Sequence, residues 1–169
     1  TLTRKLLEKD CKLIVVACNT ATAVAIDSLR ATYNVQFVGM EPAVKPAALH
    51  SKTGVIGIIA TANTFHGRLF RETSARFAAN ANIIPAVGEG FVELVENGEL
   101  NTTKAHEVVA KVVEPLVAKG ADHIVLGCTH YSFLKDLIVV IAGPSVTVVD
   151  PAIPVARRAV TLLNNTMFF

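Results

Sequence analysis

Lys12-Leu13-Ile14-Val15-Val16-Ala17-Cys18-Asn19-Thr20-Ala21-Thr22 decides the fold class. Its first half is a continuous, β-branched apolar run, the pattern of a strand buried on both faces. Its second half turns polar at Asn19 and Thr20, then enters a helical pattern from Ala21 to Tyr33. Val24, Ala25, Ile26 and Leu29 supply the apolar side of that helix. A buried strand that runs straight into a helix is the first half of a βαβ unit.

The same alternation continues along the chain. Strands are expected at 35–38, 54–60, 82–86, 123–126 and 145–149. Helices are expected from Thr61 or Thr64 to about Phe77, and at 89–96, 103–119, 131–141 and about 153–163. Asn97-Gly98 and Gly120 act as stops, and Asn101-Thr102-Thr103 as a cap. Glu41-Pro42 and Pro46 punctuate the chain and suggest a crossing between lobes. Repeated β-α units predict an α/β fold with mainly parallel sheets, flanked by helices and joined by right-handed crossovers. Ligands of such sheets sit beyond the carboxyl ends of the strands.

Bulk composition fits this reading. Of 169 residues, 51% are hydrophobic and only 18% charged, which supports a packed core and argues against disorder. Formal net charge is +2 without a dense Lys/Arg cluster, so nucleic acid is not an expected partner. No apolar run reaches the roughly 18 residues of a membrane span, and no membrane partner is expected. The first residues resemble neither a signal nor a transit peptide. The chain opens on Thr1 rather than Met and reads as beginning inside a longer protein. Cys11, Cys18 and Cys128 are few and widely spaced, which points to free thiols in a cytoplasmic protein rather than a disulfide framework.

Two of these cysteines share a context. Val15-Val16-Ala17-Cys18-Asn19-Thr20 and Val125-Leu126-Gly127-Cys128-Thr129-His130 each read as strand, small residue, Cys, then polar residues entering a helix. Each thiol is thus expected beside a helix N-terminus, where orphan N–H groups bind carboxylates and favour a thiolate. The bland alternative is a small core residue; two matching contexts weigh against it. Cys11 lacks that context and reads as incidental.

Most thiol chemistries fit poorly. Neither elbow carries C-x-x-C, and six positions beyond each Cys stand Val24 and Leu134 instead of a phosphatase Arg. Cys128-Thr129-His130 offers too few ligands for a metal. A Cys–His nucleophile built on Cys128 is possible but leaves Cys18 unused. The Gly motifs do not form a nucleotide loop: after Gly88-Glu89-Gly90, Glu93 stands where a third Gly is needed. A two-base racemase uses both thiols, one as thiolate base and the other as thiol acid on the opposite face of an α-carbon. A free thiol pKa of about 8.5 makes both forms reachable.

Ala17-Cys18-Asn19-Thr20-Ala21 and Gly127-Cys128-Thr129-His130-Tyr131 resemble the two cysteine motifs of the glutamate racemase family, within the aspartate/glutamate racemases. Val38-Gly39-Met40-Glu41-Pro42-Ala43, Phe91 to Glu96, and Val148-Val149-Asp150 with Ala156-Arg157-Arg158 are similar to further family segments. The resemblance spans nearly the whole chain. It implies Cys18 as the thiol for the D-enantiomer and Cys128 for the L-enantiomer. It implies His130 and Glu96 as catalytic helpers, and Asn19, Thr20, Thr61, Thr64 and Thr129 as substrate-binding groups. It also implies interconversion of L- and D-glutamate without pyridoxal phosphate, another cofactor or a metal, feeding peptidoglycan synthesis. Asn19, Thr20, Thr61, Thr64 and Thr129 also fit plain helix caps. His130 also fits a first-turn histidine, and Glu96 a solvated helix end. The histidines at 50, 66, 106 and 123 read as structural.

The family's opening strand, its Asp-Ser-Gly segment and its Tyr-Gly turn have no counterpart here. About two β-α units, on the order of 50 residues, are expected to precede this sequence. Pro151 stands where the family commonly has a small polar residue. The expected organisation is a truncated first lobe of residues 1–43 and 151–169, and a second lobe of 44–150, with the site between them. The two lobes are expected to be pseudo-symmetric. A homodimer is one expected assembly. Two alternatives stay open: a racemase of another acidic amino acid such as aspartate, and a remnant that binds without catalysis.

Overall fold

The computed structural model describes residues 1–77 and 81–166. It contains two parallel sheets flanked by helices. After a short exposed helix α1 (Leu2–Leu7), strand β1 (Leu13–Val16) leads into α2 (Asn19–Thr32) and then β2 (Gln36–Gly39). These strands pair in parallel, from Leu13 with Gln36 to Val16 with Gly39. Helix α3 (Val44–His50) then leads into the larger sheet. Its members are β3 (Val55–Ala60), β4 (Asn82–Val87), β5 (His123–Leu126) and β6 (Thr147–Val149), in the order β4-β3-β5-β6. The intervening helices are α4 (Ala62–His66), α5 (Arg68–Phe77), α6 (Phe91–Glu96), α7 (Thr103–Ala118) and α8 (Lys135–Ala142). A 3₁₀ turn (Thr129–Leu134) precedes α8, and α9 (Ala152–Thr166) closes the described chain.

The larger sheet is covered on both faces, and strand alternation distributes its side chains between them. Ile56, Ile58 and Val125 point to one side, where they pack with Val44 and Ala47 of α3. Ile59, Ile124 and Leu126 point to the other, against Phe91, Leu94, Val109, Val113 and Leu116 of α6 and α7. The smaller sheet packs on α2 through Ile14, Ile26 and Phe37. β1 departs from the expected two-sided burial. Ile14 is buried, but Val15 on the opposite face is 40% exposed. Among the described residues β1 pairs only with β2.

Three helical details also differ from expectation. The helix expected from 61 or 64 to 77 is broken at Gly67. There the backbone turns extended, and a Cβ would lie 3.3 Å from Ala23 Cβ of α2. The helix expected over 131–141 begins as 3₁₀ and becomes α only at Lys135. Helix α3 forms in spite of Pro46, because that residue lies in the first turn, where no N–H is required. Among the described residues no helix is long and apolar enough to cross a membrane.

Candidate active site

Both cysteine elbows lie beyond the carboxyl ends of their strands, Cys18 after β1 and Cys128 after β5. Their backbones match: Cys18 has φ −157° and ψ 125°, and Cys128 has φ −144° and ψ 140°. Cys18 is the N-cap of α2, and its sulfur accepts the Ala21 N–H at 3.4 Å. Cys128 is the N-cap of the 3₁₀ turn and is half-buried. Gly127 makes the second elbow possible, since a Cβ there would lie 2.7 Å from Ala60 Cβ of β3.

Hydrogen bonds hold the elbows together. Asn19 Nδ2 donates to the Gly127 carbonyl at 2.8 Å. The hydroxyls of Thr20 and Thr64 lie 3.3 Å apart, and those of Thr64 and Thr61 3.0 Å apart. Thr61 occupies the N-cap position of α4, yet its side chain does not cap the backbone. Its hydroxyl belongs to this threonine chain instead. Thr64 is buried within it. The Thr22 hydroxyl donates to Val16 O at 3.1 Å and accepts the Met40 N–H at 3.0 Å, which pins the segment after β2 to α2.

The second elbow carries a relay. His130 Nδ1 lies 3.9 Å from Cys128 Sγ, and His130 Nε2 lies 2.6 Å from Glu96 Oε1 at the end of α6. A carboxylate on Nε2 holds the ring proton there, so Nδ1 meets the thiol with its lone pair. Burial pushes the Cys128 thiol above its ordinary pKa. The His130 N–H lowers it, charge on Cys18 raises it further, and the Tyr131 N–H lowers it. The two thiols therefore sense each other. Tyr131, just beyond, is buried and donates to Gly88 O at 3.2 Å. Burial, then Cys128, then Glu93 push its phenol well above the ordinary range.

All nine residues singled out in the sequence lie on or beside the two elbows, at the start of α4 or at the end of α6. Thr129 lines an apolar cavity of about 380 Å³ with Val15, Ala17, Met40 and Val155, so this cavity abuts both elbows. Sequence reasoning missed Ser132 and Asp150. Ser132 Oγ donates to Asp150 Oδ1 at 3.0 Å, and that same oxygen accepts the Ala152 N–H at 2.9 Å. Asp150 thereby ties the second elbow to the start of α9. A Ser four positions after the Cys, with an Asp directly after the next strand, was the available signal. Among the described residues no group of three or more His, Cys, Asp or Glu side chains could hold a metal ion.

Known proteins share this sequence and fold. The family described as Asp/Glu/Hydantoin racemase matches residues 1–159. A glutamate racemase of Herpetosiphon aurantiacus is 49% identical over 162 residues, covering 96% of this chain and 64% of the relative. One from Methylococcus capsulatus is 45% identical over 158 residues, covering 94% of this chain and 58% of the relative. The Escherichia coli glutamate racemase, solved with L-glutamate and the activator UDP-MurNAc-ala, superimposes with a TM-score of 0.86 at 31% identity. That match covers 96% of this chain and 62% of the Escherichia coli one. The chain thus spans less than two thirds of the length of these relatives. Two thiol elbows carried by parallel sheets, together with a family match over almost the entire sequence, place the chain in the Asp/Glu/hydantoin racemase family.

Proposed function

We propose that the protein containing this chain interconverts L- and D-glutamate through its two thiols, without pyridoxal phosphate. The observation that carries the reading is the meeting of two matched cysteine elbows, joined by the 2.8 Å hydrogen bond from Asn19 to Gly127. Racemisation needs such a pair. One thiolate takes the α-proton from one face, and the opposite thiol gives its own proton to the other face. The enzyme ends with the same number of protons and the roles exchanged. Cys18 serves the D-enantiomer and Cys128 the L-enantiomer.

The surroundings support this chemistry. The N-terminus of α2, with its free N–H groups, suits the α-carboxylate and the negative charge that grows on it as the α-proton leaves. Thr20, Thr61 and Thr129 supply the polar lining, with the buried Thr64 and Asn19 behind it. Burial disfavours the Cys128 thiolate, and His130 offsets this by accepting the thiol proton at Nδ1 while Glu96 steadies Nε2.

The packing of α9 on β1 and β2 supports grouping residues 151–169 with 1–43 as one lobe, and 44–150 as the other. A protein supplying D-glutamate for peptidoglycan would work in the cytoplasm, with a homodimer as its assembly. The test is α-hydrogen exchange and racemisation in D₂O by the intact protein, with glutamate and aspartate side by side. Glutamate should be the better substrate. Cys18→Ser or Cys128→Ser should each lower racemisation by about 10²–10⁴-fold, the usual worth of an acid–base group. Full racemisation surviving either change rules out the two-thiol mechanism.

A further inference from the structure

Asn19 is only 4% exposed, and among the described residues its one side-chain hydrogen bond runs to Gly127, 108 positions away. Asn19 directly follows one thiol and Gly127 directly precedes the other. The bond is therefore a strut from elbow to elbow. Both of its ends are stiff. The Gly127 N–H donates to Ile59 O at 2.7 Å, and the absence of a Cβ lets that carbonyl ride on the paired β3 and β5. Asn19 opens α2, which Thr22 fastens to β1 and to Met40. The Oδ1 of Asn19 is closed to solvent and has no hydrogen-bond partner among the described residues. A buried amide with one unpaired end is costly, and what it secures here is the bond at its other end.

We infer that Asn19 is a positioning residue: its amide strut to Gly127 sets the gap between Cys18 and Cys128, so that a proton taken from one face of the α-carbon is replaced from the other. The inference rests on the proposed two-thiol reaction. In that reaction one sulfur gains the substrate proton and the other loses its own. Without the strut, the carbanion made by one thiol meets a displaced partner. It is then reprotonated by the sulfur that made it. Once that S–H has exchanged with D₂O, the product is deuterated at the α-carbon with unchanged configuration.

The experiment compares wild type, Asn19→Ala and Asn19→Asp in the intact protein. L-Glutamate is supplied in D₂O, α-deuteration is followed by NMR, and D-glutamate by chiral chromatography. Asn19→Asp keeps the side chain's size but sets a carboxylate oxygen against the Gly127 carbonyl. It tests the lost donor without opening a cavity, and it carries the test if Asn19→Ala fails to fold. The ratio of exchange with retention to inversion should rise at least about fivefold in the folded variants, because only the second proton transfer is impaired. Exchange and inversion falling together, at the wild-type ratio, overturns the strut and leaves the two-thiol reaction standing. A wild type that neither exchanges nor inverts overturns that reaction, and the strut with it.

Discussion

The imidazole of His130 stands between a half-buried thiol and a largely exposed carboxylate, at 3.9 Å and 2.6 Å. Its proposed use depends on the raised pKa of Cys128. At neutral pH that thiol holds its proton and needs a base; at high pH hydroxide does the same work. His130→Ala should therefore cut racemisation by about 10²-fold at pH 7. The deficit should shrink as pH climbs through and beyond the thiol's raised pKa. Glu96→Gln should give a milder loss with the same pH trend, because the ring loses the carboxylate that orients it through Nε2. Rates measured from pH 7 to above the thiol's pKa decide this, and a deficit independent of pH across that range contradicts the relay. The residues of this site were unequally legible. Cys18, Cys128 and His130 announce themselves by lying just after β-branched runs. Their partners do not. Glu96 meets His130 from 34 positions away, Thr20 meets Thr64 from 44, and Asn19 meets Gly127 from 108. Local periodicity reports which face of an element a residue occupies; it carries no information on which distant element packs there.

At the scale of elements, Asp122 shows what holds the larger sheet at the end away from the thiols. Its carboxylate accepts from Ser51 Oγ at 2.6 Å, Lys52 N at 2.6 Å and Thr53 N at 3.0 Å, and pairs with His123 Nδ1 at 2.9 Å. One side chain thus joins the loop after α3 to the start of β5. Burial opposes its charge, but the bonds from Ser51, His123, Thr53 and Lys52 outweigh it and hold the carboxyl well below the usual range. Asp122→Ala strands several donors and should cost about 2–3 kcal/mol. For a chain of this size that lowers Tm by about 4–12 °C. A carboxyl with a depressed folded pKa stabilises fully above its unfolded value of about 3.9 and loses that contribution as pH falls through the folded one. The stability gap between wild type and variant should therefore be full near neutrality and begin to narrow only below about pH 4; thermal melts from pH 7 to 2 measure it. The elements themselves were mostly legible, because buried parallel strands are continuous apolar runs. The exceptions have separate causes. Proline in the first turn of α3 resembles a break but is tolerated there. The break at Gly67 falls where the chain passes close to Ala23, which lies in another element. The 3₁₀ turn can be seen in retrospect: buried Tyr131 and Leu134 are three apart, whereas Leu134, Ile138 and Ala142 follow at four.

At the scale of the molecule, the two sheets are unequally supported. The four-stranded sheet has core on both faces. The two-stranded one has Ile14, Ile26 and Phe37 as its buried cluster, and two strands alone are marginal in water. Its order must come from elsewhere: α9 packs on both strands, and α2 links them to the rest of the chain. Successive turns of one helical face meet the other part of the chain: Asn19 and Thr20 at Gly127 and Thr64, Ala23 against Gly67, and Asp27 against Arg68 at 2.6 Å. The Arg68–Asp27 pair is exposed at 52% and 71% of its side chains, so it adds little, whereas the Asn19 bond and the Thr64 contact are buried and matter more. Opening of the smaller sheet should then be a separate event of lower free energy than global unfolding. Native-state hydrogen exchange should find the slowest amides in β3 and β5 and faster ones in β1 and β2. Asn19→Ala should speed exchange in β1 and α2 while leaving β5 unchanged, and Arg68→Ala should do so much less. Glutamate bound between the elbows should reverse the pattern, slowing β1 and α2 most, because a ligand held by both elbows stabilises only states in which both are in place. Equal protection across the two sheets, with or without glutamate, would mean that the smaller sheet does not depend on the α2 contacts for its order.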